Sequence, residues 1–194
     1  SLFYFSKIFE TFIPFIYLYI RTQKNKGGVY LKQKLYDKLV AYILENQNKF
    51  YRLAFSYVKN QDDALDVVQN AVCKALAHYM DLRNEKAMKT WFYKIVLNES
   101  FALLNTKKKV ILTDESNYCE IPYEEKGLEI HDDLYDQINQ MEKDTQNIIK
   151  LRFFEELELN EIALILGMNL NTVKTKLYRG LKTLKVIMEK EESI

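Results

Sequence analysis

Leu159-Asn160-Glu161-Ile162-Ala163-Leu164-Ile165-Leu166-Gly167-Met168-Asn169-Leu170-Asn171-Thr172-Val173-Lys174-Thr175-Lys176-Leu177-Tyr178-Arg179-Gly180 carries more structural information than any other stretch of this 194-residue chain. The apolar spacing predicts a short helix over Leu159–Leu166, a tight turn at Gly167, Met168 and Asn169, and a longer helix from Leu170 to about Glu189. Two helices crossing at a steep angle need a small residue at the crossing and a turn residue that tolerates left-handed dihedrals. Ala163 meets the first need, and Gly167, four residues on, the second. Ile162, Leu166, Met168, Val173 and Leu177 fall where a shared core is expected. Asn169 is placed to cap the second helix. Asn171, Thr172, Lys174, Thr175, Lys176, Tyr178, Arg179 and Lys182 are left for its outer face and flanks. A helix of this kind fits the major groove, its N-terminal side chains against base edges and its later cations against phosphates. The plainer alternative is two packed helices with a solvated lysine face.

Charge supports the nucleic-acid reading. The chain carries 28 Lys/Arg against 27 Asp/Glu, a formal net charge of +1. That near-balance hides strong zoning: +3 over residues 1–30, +6 over 31–109, −8 over 110–140 and 0 over 141–194. Within the last zone, Gly167 to Ile187 holds Lys174, Lys176, Arg179, Lys182 and Lys185 without one acid, an asymmetry suited to a polyanion.

Composition narrows the class further. At 48% hydrophobic, 13% aromatic and 28% charged residues, with 5 Gly and 2 Pro, the chain is neither collagen-like nor wholly disordered, and its scarcity of breakers favours helices. Its length allows about two-thirds of the unfolded surface to be buried, enough for one domain or two small ones without disulfides. Cys73 and Cys119 stand far apart without a CxxC partner, which argues against a disulfide scaffold or zinc finger and fits a reducing cytoplasm. Cys119 and His131, one of each, make a poor metal site. Neither a glycine-rich phosphate loop nor an HExxH or GxSxG motif is present, and His78 and His131 stand alone, so an enzyme is disfavoured. No cofactor, metal or small-molecule substrate is expected.

Upstream, the helical period continues. Leu35, Leu39, Tyr42 and Ile43 mark one buried face, and Phe50, Leu53, Ala54, Tyr57 and Val58 repeat it. Asp62 is the expected N-cap of a third helix from Asp63 to Tyr79, with Ala64, Val67, Val68, Ala71, Leu76 and Cys73 facing inward. Asp81–Lys89 reads as a loop, and Thr90 is the expected cap of a fourth helix from Trp91 to about Asn105, followed by Lys107, Lys108 and Lys109. Four helices would make the first domain. Val110–Ile130 contains Pro122, Gly127 and most of the acidic excess, and reads as a solvated linker. Leu134, Ile138 and Met141 then suggest a short helix, and Ile148, Ile149, Leu151, Phe153 and Phe154 the apolar side of a longer one.

These segments resemble a known family. Residues 159–168 and Thr172-Val173-Lys174-Thr175-Lys176-Leu177-Tyr178-Arg179-Gly180 resemble region 4 of extracytoplasmic-function (ECF) sigma factors of the sigma-70 family. Tyr51-Arg52-Leu53-Ala54 and Asp62-Asp63-Ala64-Leu65-Asp66-Val67-Val68-Gln69-Asn70 resemble the start of region 2, and Trp91-Phe92-Tyr93-Lys94-Ile95-Val96-Leu97-Asn98 its promoter-melting helix. The resemblance implies an all-α chain of two small helical domains on a flexible acidic linker: region 2 over 31–109, the linker over 110–133 and region 4 over 134–194. It implies a specificity subunit that directs bacterial core RNA polymerase to promoter DNA and has no catalysis of its own. Asp63, Asp66, Gln69, Asn70 and Lys74 would meet core polymerase. Arg83, Lys86, Trp91, Lys94, Asn98, Lys107 and Lys108 would hold the minus-10 element, where side-chain stacking replaces base stacking. Trp91 or Phe92 also reads as plain core. Asn171, Thr172, Lys174, Thr175, Lys176, Tyr178, Arg179 and Lys182 would meet the minus-35 element. Lys176 stands where Arg is frequent and lacks the fork that reads guanine. Family members are often held inactive by an anti-sigma factor, a further implied partner.

Residues 1–30 read differently. Ser1–Ile20 holds eight aromatics and only Lys7 and Glu10 as charges, yet its longest charge-free run, Thr11–Ile20, contains Pro14 and is too short to span a bilayer. No small-residue cleavage site follows. Lys26-Gly27-Gly28 is what the ribosome-binding sequence AAAGGAGGT spells when translated, and Leu31 fits a TTG start. Residues 1–30 are therefore expected to be an extension, as translated upstream DNA or from an earlier start. The competing functional readings are a stand-alone helix-turn-helix regulator and, more weakly, a membrane-tethered interaction protein.

Overall fold

The computed structural model describes residues 29–82, 84–113 and 132–191. Every regular element among them is helical. The chain divides between Lys107 and Lys108 into two compact units. Residues 1–28, Arg83, Cys119 and His131 lie outside the described residues, as does most of the expected linker.

In the first unit, α1 spans Val29–Val58 as one helix of 30 residues where the sequence suggested two. Ile43 and Phe50 are seven residues, two turns, apart, and no Gly or Pro intervenes, so the two apolar faces are one stripe. Tyr36, Leu39, Ile43, Phe50, Leu53 and Ala54 are buried along it. Lys59, at φ 55, turns the chain out of α1. Helix α2 is Gln61–Ala77, and its N-cap is Asn60 rather than Asp62: extended at φ −139, ψ 137, Asn60 accepts the Asp63 N–H through its side chain at 3.0 Å. Asp62 and Asp63 then occupy the first turn, where negative charge suits the dipole. The inward stripe holds the expected apolar residues plus Val72 and Ala75, but Cys73 is exposed. The helix stops two residues early, because Tyr79 opens a 3-10 turn (Tyr79–Asp81) that packs its ring edge-on to Tyr36, centroids 5.3 Å apart.

A second 3-10 turn, Glu85–Ala87, lies within the expected loop and is capped by Asn84. Helix α3 begins at Met88 and runs to Thr113. Thr90 is thus inside the helix, its hydroxyl donating to the Ala87 carbonyl at 3.0 Å instead of capping. The helix outlasts the expected Asn105 and takes in Val110–Thr113, expected as linker, since no breaker occurs before Pro122. Three α-helices, not four, therefore form the described part of this unit. Its centre is aromatic: Phe50 meets Phe92 at 4.6 Å and Tyr93 at 5.3 Å, and Tyr42 meets Phe50 at 5.8 Å. Phe50 and Phe92 are both fully buried.

In the second unit, α4 is Asp132–Gln140 and α5 is Lys143–Ile149. Helix α5 ends in a π-type turn, Lys150–Phe154. The wider turn rotates the face, so Ile148, Ile149 and Leu151 are buried while Phe153, expected inside, is half exposed. Glu156, at φ 54, reverses the chain, and the Leu157 N–H returns to the Leu151 carbonyl at 3.1 Å. Helix α6, Leu159–Leu166, starts in a reciprocal capping box between Glu158 and Glu161. Gly167 closes it at φ 66, ψ 32, and the Met168 N–H bonds to the Ala163 carbonyl at 2.9 Å. A Cβ on Gly167 would meet nothing within 4 Å, so backbone conformation rather than space calls for glycine. Asn169 caps α7, Leu170–Glu191, by accepting the Asn171 N–H at 2.8 Å. The shared core is Ile162, Ala163, Ile165, Val173, Leu177 and Leu184. Leu166 and Met168, expected in it, are half-buried, because Ile165 takes the inward position of α6.

Candidate nucleic-acid interface

Helix α7 has two unlike sides. Val173, Leu177, Gly180 and Leu184, at helical spacing, form the buried one. Asn171, Thr172, Lys174, Thr175, Tyr178, Arg179 and Lys182 are all exposed on the other. Tyr178 presents an amphipathic ring that is 66% exposed. Thr175 donates its hydroxyl to the Asn171 carbonyl at 2.8 Å. From Asn171 to Lys182 this side carries cations and no acid.

Lys176 departs from the sequence expectation. It lies at the edge of the buried side, between Val173 and Gly180, and its side chain is 22% exposed. The Nζ atom is 2.6 Å from Glu142 Oε1 and 3.1 Å from Asp144 Oδ2, at the start of α5. Hydrogen bonds to Glu142 first and Asp144 second hold the ammonium above its usual lysine pKa. Glu142 and Asp144 went unnoticed in the sequence, although the inward stripe at 173, 177 and 180 already places residue 176 beside it. Gly180 was equally silent: a Cβ there would sit 2.6 Å from Thr145 Cγ2 and 3.0 Å from Ile149 Cδ1, so α5 and α7 cross in close contact.

The first unit brings together some of its candidates. Trp91 (half-buried), Lys94 and Asn98 (exposed) share one face of α3 at i, i+3 and i+7, while the neighbouring Phe92 is core. Lys86 is exposed in the 3-10 turn before it, and Lys108 is exposed near the end of α3. Arg83 lies outside the described residues. On α2, Asp66, Asn70 and Lys74 lie exposed on one face, with Gln69 half-buried beside them. Two members of the set expected to meet core polymerase are paired within the unit: Asp63 with Lys107, and Lys74 with Glu99 at 2.6 Å. Lys107, expected at DNA, is thus tied to Asp63, because the register of α2 against α3 brings their ends together. Among the described residues no helix is long and apolar enough to cross a membrane, and no cluster of His, Cys, Asp and Glu suits a metal ion.

A cationic recognition helix on a helix-turn-helix, joined to a helical unit with an aromatic-basic helix, defines a two-part helical DNA-binding protein. Residues 42–109 match the family described as Sigma-70 region 2, and residues 131–184 match Sigma-70, region 4. RNA polymerase sigma factor SigV of Bacillus subtilis is 44% identical over 164 residues, 83% of this chain and 97% of that protein. ECF RNA polymerase sigma factor SigW of the same organism is 25% identical over 154 residues, 72% of this chain and 82% of that one. Among solved structures, the sigma factor RpoE of Bartonella quintana, in complex with the anti-sigma factor NepR, aligns at TM-score 0.64 and 20% identity over 77% of this chain and 95% of that one. CnrH, in complex with the cytosolic domain of CnrY, aligns at 0.61 and 14% identity over 82% and 96%. The chain belongs to the sigma-70 family of RNA polymerase sigma factors, in its extracytoplasmic-function branch. Val72 is 4% exposed and belongs to the core of the first unit.

Proposed function

We propose that the two units divide promoter recognition, with residues 31–109 holding core polymerase and the minus-10 element and residues 134–194 the minus-35 element. The observation that carries this reading is α7, whose cationic side is exposed from Asn171 to Lys182 while Val173, Leu177 and Leu184 lock the opposite side into the helix-turn-helix core. Asn171, Thr172, Thr175, Tyr178 and Arg179 stand at the end that enters a groove, and Lys174 and Lys182 flank it toward phosphates. Trp91, Lys94 and Asn98 offer a ring, a cation and an amide on one face, suited to an unstacked base and its strand. Asp66, Gln69 and Asn70 offer α2 as the docking surface for core polymerase. The chain supplies no catalytic groups; nucleotide addition is the polymerase's chemistry. It acts in the cytoplasm, and an anti-sigma protein is a further partner, as RpoE was solved with the anti-sigma factor NepR.

Run-off transcription with purified core polymerase and a promoter library tests this. Initiation from a defined promoter subset is the expected result. Tight binding to duplex DNA by the chain alone, with no initiation directed at any promoter, would replace it with a stand-alone regulator.

A further inference from the structure

We infer that Lys176 is a positioning residue: it sets the roll of the recognition helix against α5, and so which bases Thr175, Tyr178 and Arg179 reach, without contacting DNA itself. This rests on reading α7 as the recognition helix. The ammonium bridges two carboxylates at the start of α5, Glu142 Oε1 at 2.6 Å just before the first turn and Asp144 Oδ2 at 3.1 Å within it. One turn further along α7, Gly180 lets the helix backbone close on Thr145 and Ile149, where even a Cβ would stand 2.6 Å from Thr145 Cγ2. A helix held at two points one turn apart, against two successive turns of its neighbour, is fixed in both roll and slide. The glycine sets the separation and the lysine sets the rotation.

Charge points the same way. A lysine already shared by two anions has little positive potential left for a phosphate, and swinging it out would leave Glu142 and Asp144 uncompensated beside DNA. Glu142 and Asp144 are themselves 64% and 41% exposed, and pairs this open contribute little to folding stability. Geometry is what they can supply. Lysine's compact point charge on a flexible stem suits a bridge between two carboxylates of different approach better than it suits bidentate guanine readout.

The test uses holoenzyme reconstituted with the full chain, with binding measured on single-base variants of the minus-35 element at several salt concentrations. Three proteins are compared with wild type: Lys176→Gln, Lys176→Arg, and Glu142→Gln with Asp144→Asn together. The inference expects Lys176→Gln and the double variant to flatten base preference alike, by about threefold or more at the affected positions, with the salt slope unchanged. Lys176→Arg should restore the preference. A uniform loss across sequences for Lys176→Gln, with the slope reduced by about one unit, would make Lys176 a phosphate contact and overturn the inference. So would tighter binding by the carboxylate double variant with base preference intact, the result expected if those anions merely repel DNA. A wild-type holoenzyme indifferent to minus-35 sequence would instead overturn the recognition-helix reading, and this inference with it.

Discussion

The two units are held together in opposite ways. In the first, helices meet through large rings, with Phe50, Phe92 and Tyr93 interlocked at centroid separations of 4.6 and 5.3 Å. In the second, α5 and α7 meet where a side chain is missing, at Gly180. A core of rings fails when volume is removed, and a glycine crossing fails when volume is added. The charged groups differ in the same sense. Across α2 and α3 the candidate ions Asp63, Lys107 and Lys74 are paired inside the unit, whereas on α7 the expected DNA-facing cation Lys176 is paired across to α5 while Arg179 and Lys182 are exposed. The first unit uses part of its candidate set to join helices, and α7 presents most of its own candidate set outward.

The largest effect that would break this contrast comes from Phe92→Ala. It should remove about 3–5 kcal/mol from the first unit by opening a cavity among Tyr42, Phe50 and Tyr93. Phe153→Ala, at a half-exposed ring of the second unit, should cost under about 1 kcal/mol in the same thermal melts. Equal losses would show that the rings of the first unit are not its keystone. Next, Gly180→Ala should destabilise the second unit by about 1–3 kcal/mol, as the new methyl drives into Thr145, and should weaken minus-35 binding by displacing α7. An unchanged melting temperature would mean that the two helices separate freely and that the crossing is loose.

A third effect sharpens the contrast between outward and inward charge. Arg179→Ala should lose about 1–3 kcal/mol of discrimination at one minus-35 position, whereas Lys182→Ala should weaken binding evenly and lower the salt slope by about one unit. Equal losses for Arg179→Ala on every sequence would remove it from the readers. The smallest effect is expected from Lys107→Ala, where an exposed ion pair is worth about 0.2–1 kcal/mol to the first unit in chemical denaturation. A loss well above that range would mean that the Asp63–Lys107 pair clasps α2 to α3.

Much of this was legible because local rules and global packing agree. Residues 159–166 were readable to the residue, since Gly167, having no Cβ, accepts φ 66 without strain and Asn169 caps the next helix through its own oxygen. The misreadings have local causes. Asn60 and Asp62 are both good caps, and the choice between them turns on Lys59 adopting φ 55, which no side chain announces. Phe153 keeps helical spacing in sequence, but the π-type turn breaks that period by one residue. Helix α3 outran its expected end because a run of lysines suits a helix C-terminus without ending a helix.

The sequence by itself determined the all-helical class, the helix-turn-helix, the cationic side of its second helix and the aromatic-basic helix upstream, because each rests on periodicity, capping chemistry or charge within one element. Only the tertiary structure decided how those residues are used. Lys176 and Arg179 look alike as cations three residues apart on one helix. One faces the carboxylates that begin α5 and the other faces solvent, a difference set by a neighbouring helix lying some thirty positions earlier in the chain. Asp63 and Lys107 likewise become partners only through the packing of α2 against α3. Periodicity places a side chain on a face, but the partner that waits there belongs to another element, and sequence spacing does not record it.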